Sequence, residues 1–315
     1  MTRWLLGPGP AQRLAALRIL TGGFVLVYLL VAVSEFARLT RQSAQSFEPI
    51  GLAGVLDRPL DAGPFWVLYL ATLAVGVAFT AGWRFRFSGP AFALLVLLLT
   101  SYHSSFGQLL HFEHLFTLHL LVLGLSPAAD AWSFSGSTDA PEPHVRYGWP
   151  VRLMALMTVA TYVIAAITKL RVSGLEWIDD TTITNHVAYS ATRLDLLGSR
   201  TPPLASFALE HRWVLAPAGA AALALELASP LALVHPVARR VWVVGVLAMH
   251  LGIVLLLGVW FPYQGLGFAL APLYRTERLG SVVSSYQRRA RATSGGFAAS
   301  TRFRFARKDH TTTQA

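Results

Sequence analysis

Along most of this chain apolar residues do not alternate with polar ones. They run on for about twenty positions, break at clusters of Arg, Gly or Pro, and start again. A helix of about twenty apolar residues, rising about 1.5 Å per residue, covers the roughly 30 Å hydrocarbon core of a bilayer. The runs predict spans at about 15–36, 64–82, 88–105, 107–126, 150–170, 214–234, 240–259 and 261–274. The last is short and reads as tilted, re-entrant or continuous with its neighbour. The expected fold class is all-α integral membrane: a polytopic bundle of about eight transmembrane helices at 1–275, multi-pass in the cell membrane. A basic tail at 276–315, rich in Ser, Arg and Ala with little apolar pattern, is expected to be disordered.

The arginines orient this bundle. With the N-terminus cytoplasmic, the inner segments hold 17 basic residues against five acids, and the outer segments hold seven Arg against nine acids. Arg84/Arg86, Arg146/Arg152 and Arg239/Arg240 all fall on inner connections. The positive-inside rule then places both termini in the cytoplasm. Two outer connections, about 37–63 and 171–213, are long and contain apolar and aromatic residues such as Phe47, Leu175 and Trp177. Such loops read as lids or interfacial caps. Trp149, Trp177, Trp213 and Trp260 fit interfacial belts, and Gly22, Gly23 and Gly76 fit close helix contacts.

Composition agrees and narrows the chemistry. The 315 residues are 54% hydrophobic and 13% charged, with mean hydropathy +0.50. There is no Cys, which excludes disulfides, zinc thiolate sites, iron–sulfur clusters and thiol nucleophiles. The net charge of +10 sits on the inner segments and tail, so it reads as facing anionic membrane lipids; a nucleic-acid partner is not expected. The first apolar run is too long for a signal-peptide core, and a cleaved signal is not expected. No phosphate loop, nucleophile elbow or nucleotide fingerprint occurs.

Ionisable groups inside spans are costly, which makes them the candidates for function. They are Arg18 in the first span; His111, Glu113, His114 and His119 in the fourth; Lys169 at the end of the fifth; Glu226 in the sixth; and His250 in the seventh. Of the 26 basic residues 24 are Arg, yet this intramembrane cation is Lys. A desolvated lysine can lose its proton and serve as a base, whereas arginine cannot. Tyr162 and Thr158 precede Lys169 by seven and eleven residues and share its helix face. A lysine at a helix end also snorkels to the interface with no chemical role, and position alone leaves both readings open. His111 and His114 lie one turn apart, with His119 rotated away. This spacing suits hydrogen bonding between helices or contact with a quinone better than a metal, and no metal site is predicted. Glu226 is the expected partner of a buried cation or His.

Four stretches, in order, resemble the HTTM (horizontally transferred transmembrane) domain, the module shared with vitamin K-dependent gamma-glutamyl carboxylases. They are L-A-A-L-R-I-L-T-G-G (14–23), H-F-E-H-L-F-T-L-H-L-L-V-L-G-L-S-P (111–127), Y-V-I-A-A-I-T-K-L (162–170), and L-E-L-A-S-P-L-A-L (225–233) followed by M-H-L-G-I (249–253). DoxX-like quinone-associated proteins are a looser resemblance. The HTTM resemblance implies that Lys169 matches the carboxylases' base toward reduced vitamin K, that His250 matches a family histidine, and that Tyr162 stands with them as catalytic. His111, His114, His119, Glu113, Glu226 and Arg18 become candidates to contact the cofactor, a menaquinol or vitamin K hydroquinone. The family's fourth-span histidine position falls on Phe112, between His111 and His114.

The carboxylases carry a large soluble domain after the membrane part. Here about 40 residues remain, so carboxylation of a protein substrate is not expected of this chain alone. Two functions follow as expectations. One is a quinol-dependent oxygenase or carboxylase-like enzyme with Lys169 as general base. The other is a non-catalytic membrane helper in the maturation or export of a secreted peptide, or beside a membrane redox partner. A cavity bounded by Lys169, Tyr162 and His250 would favour the first, and a packed Lys169–Glu226 pair the second.

Overall fold

A computed structural model describes residues 2–134, 141–179 and 181–280. The chain forms helices α1 (Thr2–Leu5), α2 (Ala11–Val31), α3 (Val33–Leu39), α4 (Ala62–Ala81), α5 (Phe85–His103), α6 (His111–Gly124) and α7 (Val145–Ser173). It continues with α8 (Thr181–Leu196), α9 (Ala205–Glu210), α10 (Leu215–Leu227), α11 (Leu231–Val234), α12 (Pro236–Leu257) and α13 (Pro262–Gly265). Among the described residues there is no strand; one isolated β-bridge joins Gly9 to His144. Most of the tail expected to be disordered, from 281 onward, lies outside the described residues.

Among the described residues, five helical stretches are long and apolar enough to cross a membrane: Ala11–Val31, Ala62–Ala81, Phe85–His103, Val145–Trp177 and Pro236–Leu257. The other three sequence-predicted spans are helical but shorter. The 14-residue α6 is about 21 Å long at 1.5 Å per residue, less than the roughly 30 Å of a hydrocarbon core. The 214–234 run divides at Pro230 into α10 and α11. Residues 261–274 form the single turn of α13 and then a 3₁₀ segment, Phe268–Leu273, entered through Gly267 at φ 81° and containing Pro272. Proline lacks the amide hydrogen that a continuous helix needs, and the positive φ turns the chain out of it. The connection at 171–213, expected as a lid-like loop, is largely helical: α7 extends to Ser173, and α8 and α9 follow.

α2 lies at the centre, against α4, α6, α7 and the 268–273 segment. The core around it is rich in aromatic rings, including Phe24, Phe36, Phe92, Phe116 and Tyr263. The opposite helix faces expose Val27, Leu30, Val67, Ile164 and Val244. In water such a surface would be an association hazard; in lipid it is the expected exterior. Of the glycines read as close contacts, a Cβ on Gly22 would collide with Phe79 and Thr80, and one on Gly76 with Phe92 and Leu26. Gly23 instead faces open space. Gly89 and Gly124 are a further close pair, where α5 and α6 meet backbone to backbone.

Arg18 is fully buried and its role is internal. Its guanidinium donates to the carbonyls of Ala128 at 2.7 Å, Ala131 at 3.4 Å and Trp132 at 2.5 Å. It thereby satisfies the irregular backbone that follows α6, which the membrane interior would otherwise leave without donors.

Candidate functional site

The sequence candidates separate into two polar clusters. The first joins α7, α10 and α12. Near the end of α7, Lys169 forms an ion pair with Glu226 on α10, and its ammonium lies 5.1 Å from the Trp177 ring centroid. Two turns earlier on the same face, the Tyr162 ring stands edge-on to Trp242 at 5.2 Å and to His250 at 6.0 Å. His250 Nδ1 lies 2.8 Å from the Val246 carbonyl. A carbonyl only accepts, so Nδ1 carries the hydrogen and the neutral ring keeps its lone pair on Nε2. Tyr162 Oη, Glu226 Oε2 and Trp177 Nε1 are buried without a hydrogen-bond partner among the described residues. Buried polar atoms are nearly always satisfied, so three unpartnered atoms in one cluster single it out.

Thr158, expected on the Tyr162–Lys169 face, works elsewhere. It belongs with His119, which is fully buried and accepts a 2.7 Å hydrogen bond from Tyr263 Oη at Nδ1 while Nε2 donates to the Met154 carbonyl at 3.1 Å. Thr158 donates to the carbonyls of Met154 and Ala269. With Thr21 on Tyr263, this network ties α2, α6, α7 and α13 together. His111 and His114 are exposed, with ring centroids 5.5 Å apart. The three histidines of α6 therefore do not converge on one site.

The second cluster contains two residues that the sequence reading did not select. Glu113 is fully buried; Tyr28 on α2 donates to its Oε1, and His103 Nδ1 at the end of α5 lies 3.0 Å from the same oxygen. Glu113 Oε2 is buried without a partner. No local spacing links Tyr28, His103 and Glu113, and only the packing of α2, α5 and α6 brings them together. Tyr28 and His103 line a cleft of about 1250 Å³ whose walls include Phe24, Val27, Val31, Phe112 and Phe268. Lys169, Tyr162 and His250 do not line this cleft. The chain around α13 stands between it and the first cluster. Trp260, Pro262 and Leu266 face the cleft, while Phe261 lies 5.7 Å from the His250 ring and Gly265 packs on the His250 Cβ.

This all-helical bundle, with a lipid-compatible exterior and polar groups held inside its spans, is the structure of a multi-pass membrane protein. The HTTM domain matches residues 7–277, and the chain belongs to that family. No curated protein and no solved structure matches it.

Proposed function

We propose that this HTTM protein handles a reduced lipid quinone, with Lys169, Glu226, Tyr162 and His250 as its acid–base centre. The observation that carries the reading is the pair of buried, unpartnered oxygens, Tyr162 Oη and Glu226 Oε2, beside an intramembrane Lys–Glu pair. They offer one donor and one acceptor, and a quinol's hydroxyl can accept from the first and donate to the second, so these residues fit such a headgroup. A bound quinol supplies the acidic hydroxyl and the reducing electrons. In this reading the neutral Lys169 amine takes the proton of the quinol's hydroxyl, and the Glu226 carboxylate stabilises the ammonium that forms. His250, with its lone pair on Nε2, is the second acceptor.

The same proposal includes the topology of about eight crossings with both ends cytoplasmic, supported by the arginine asymmetry. In it the three shorter helical segments complete the bundle without each covering the full bilayer thickness.

Turnover tests the enzyme reading. Purified protein receives menaquinol or vitamin K hydroquinone and oxygen, with Lys169→Arg as the control. Arginine preserves the ion pair but cannot give up its proton. Conversion by the native protein and its loss in the variant is the expected result; equal conversion by both would remove Lys169 from the chemistry.

The arrangement expected of the second reading, a packed Lys169–Glu226 pair, is the one present, and the cleft beside α2 is not bounded by Lys169, Tyr162 and His250. The Lys169–Glu226 pair, closed over by Trp177, is also a complete structural tie. A non-catalytic helper for a secreted peptide or a redox partner needs nothing more from these residues. Absence of quinol binding and turnover in the native protein would select it.

A further inference from the structure

A second polar cluster meets the cleft beside α2, and Lys169, Tyr162 and His250 do not line that cleft. The cleft wall is apolar along Val27, Val31 and Leu266, is entered by Tyr28 and His103, and carries further polar groups, among them Glu35, Arg38, Gln108 and Arg193. Behind Tyr28 and His103 stands Glu113, fully buried and bonded to both through Oε1. A buried carboxylate is costly unless neighbouring donors satisfy it, and here the two donors are the cleft-lining groups themselves. With the carboxylate as acceptor, His103 Nδ1 carries the hydrogen. In its neutral form the imidazole then has its lone pair on Nε2. That nitrogen makes no hydrogen bond among the described residues and is not sealed from outside. The ring is held in this orientation by Glu113 on one edge and by Phe36, with ring centroids 4.7 Å apart. The outcome is a fixed hydrogen-bond acceptor, in the neutral form of His103, on the same cleft as the apolar side chains of Val27, Val31 and Leu266.

We infer that this cleft binds an amphiphile whose headgroup ends in a hydroxyl, donated to His103 Nε2, with its apolar tail along Val27, Val31 and Leu266. Glu113 and Tyr28 are positioning residues that set the tautomer and angle of the ring. The chemistry favours a hydroxyl over an ether or hydrocarbon headgroup, because only the hydroxyl can donate to the free lone pair. An ether places a second acceptor opposite the first.

A photo-crosslinking competition in phosphatidylcholine nanodiscs, using the full chain, tests this. The probe is an alkylphenol with a diazirine in its tail, and the competitors are 4-octylphenol and 4-octylanisole. Labelling is expected at Val27, Val31, Phe112 or Leu266. Octylphenol is expected to compete at about tenfold lower concentration than octylanisole, the scale of one hydrogen bond of about 1.4 kcal/mol. The ratio should fall to about one in His103→Phe, which keeps an aromatic ring on Phe36, and should persist in Lys169→Arg. Retention in Lys169→Arg separates this site from the quinol centre, whose own turnover test can fail while this one succeeds. Labelling outside the cleft, equal competition by the two compounds, or a ratio unchanged in His103→Phe would each overturn the assignment. Should His103→Phe not fold, the label map and competition ratio of the native protein decide the matter by themselves.

Discussion

Lys169 and Glu226 form an ion pair whose two sides are unequally sheltered: the lysine side chain keeps 23% of its surface exposed and the glutamate 5%. The consequences of breaking the pair are therefore unequal. Lys169→Met strands a buried carboxylate and is expected to destabilise the protein by about 2–4 kcal/mol. Glu226→Leu leaves an amine that can lean toward the exposed side, at about 1 kcal/mol. The double substitution should recover most of the loss, as apolar replacements of buried ion pairs do. A double-mutant cycle of unfolding in detergent measures all three values.

Arg18 should not tolerate lysine. Three carbonyls, of Ala128, Ala131 and Trp132, depend on its forked guanidinium. A single ammonium cannot span them. Arg18→Lys is expected to cost about 2–4 kcal/mol and to loosen the chain after α6. A lowered unfolding midpoint together with faster proteolysis near Trp132 would register this.

Two glycines make opposite predictions. A Cβ on Gly124 would stand 2.5 Å from the Gly89 carbonyl oxygen, so Gly124→Ala must push α5 and α6 apart at about 1–3 kcal/mol. Gly23, within α2, has nothing within 4 Å of an added Cβ. Gly23→Ala should be neutral or stabilising by up to about 1 kcal/mol, since alanine is the better helix former. Comparing the thermal midpoints of the two variants tests the packing directly.

Acid should release the end of the HTTM region from the start of α2. Burial alone would raise the Glu277 carboxyl, but the Arg13 guanidinium, bonded to both of its oxygens at 2.7 and 2.6 Å, outweighs burial and holds it below the usual carboxylate range. A carboxyl depressed in the folded state stabilises that state above its unfolded value. The contribution, about 1 kcal/mol for one partly buried pair, is lost as pH falls through the depressed value. Stability measured against pH should therefore fall less steeply on the acid side in Glu277→Gln than in the native chain.

Much of the fold was legible because the bilayer imposes one strong rule. Backbone groups in hydrocarbon must be satisfied within the segment, so long apolar runs become helices. The runs at 64–82, 88–105, 150–170 and 240–259 correspond to α4, α5, α7 and α12 to within a few residues, apart from the 145 start of α7. The runs at 107–126, 214–234 and 261–274 were harder, because hydropathy does not register where a proline or a positive φ ends a helix inside an apolar stretch. Within the candidate site, the expected Lys169–Glu226 pair forms, and Tyr162 lies beside His250. The histidines of α6 did not follow their spacing. His111 and His114 share a face, but it is an exposed one, and His119 closes an internal network.

The sequence by itself determined the class: apolar runs, scarce charge and the HTTM stretches leave a helical membrane bundle, with Lys169 as its most unusual residue. Only the tertiary structure decided which polar groups meet. It gave Arg18 to backbone carbonyls, closed Lys169 onto Glu226, and gathered Tyr28, His103 and Glu113 from three helices beside a cleft. The physical reason is that hydropathy and helical period fix which residues lie on a helix and which face they share. Partners across helices depend on crossing geometry and on where each helix stops, and no local pattern encodes either.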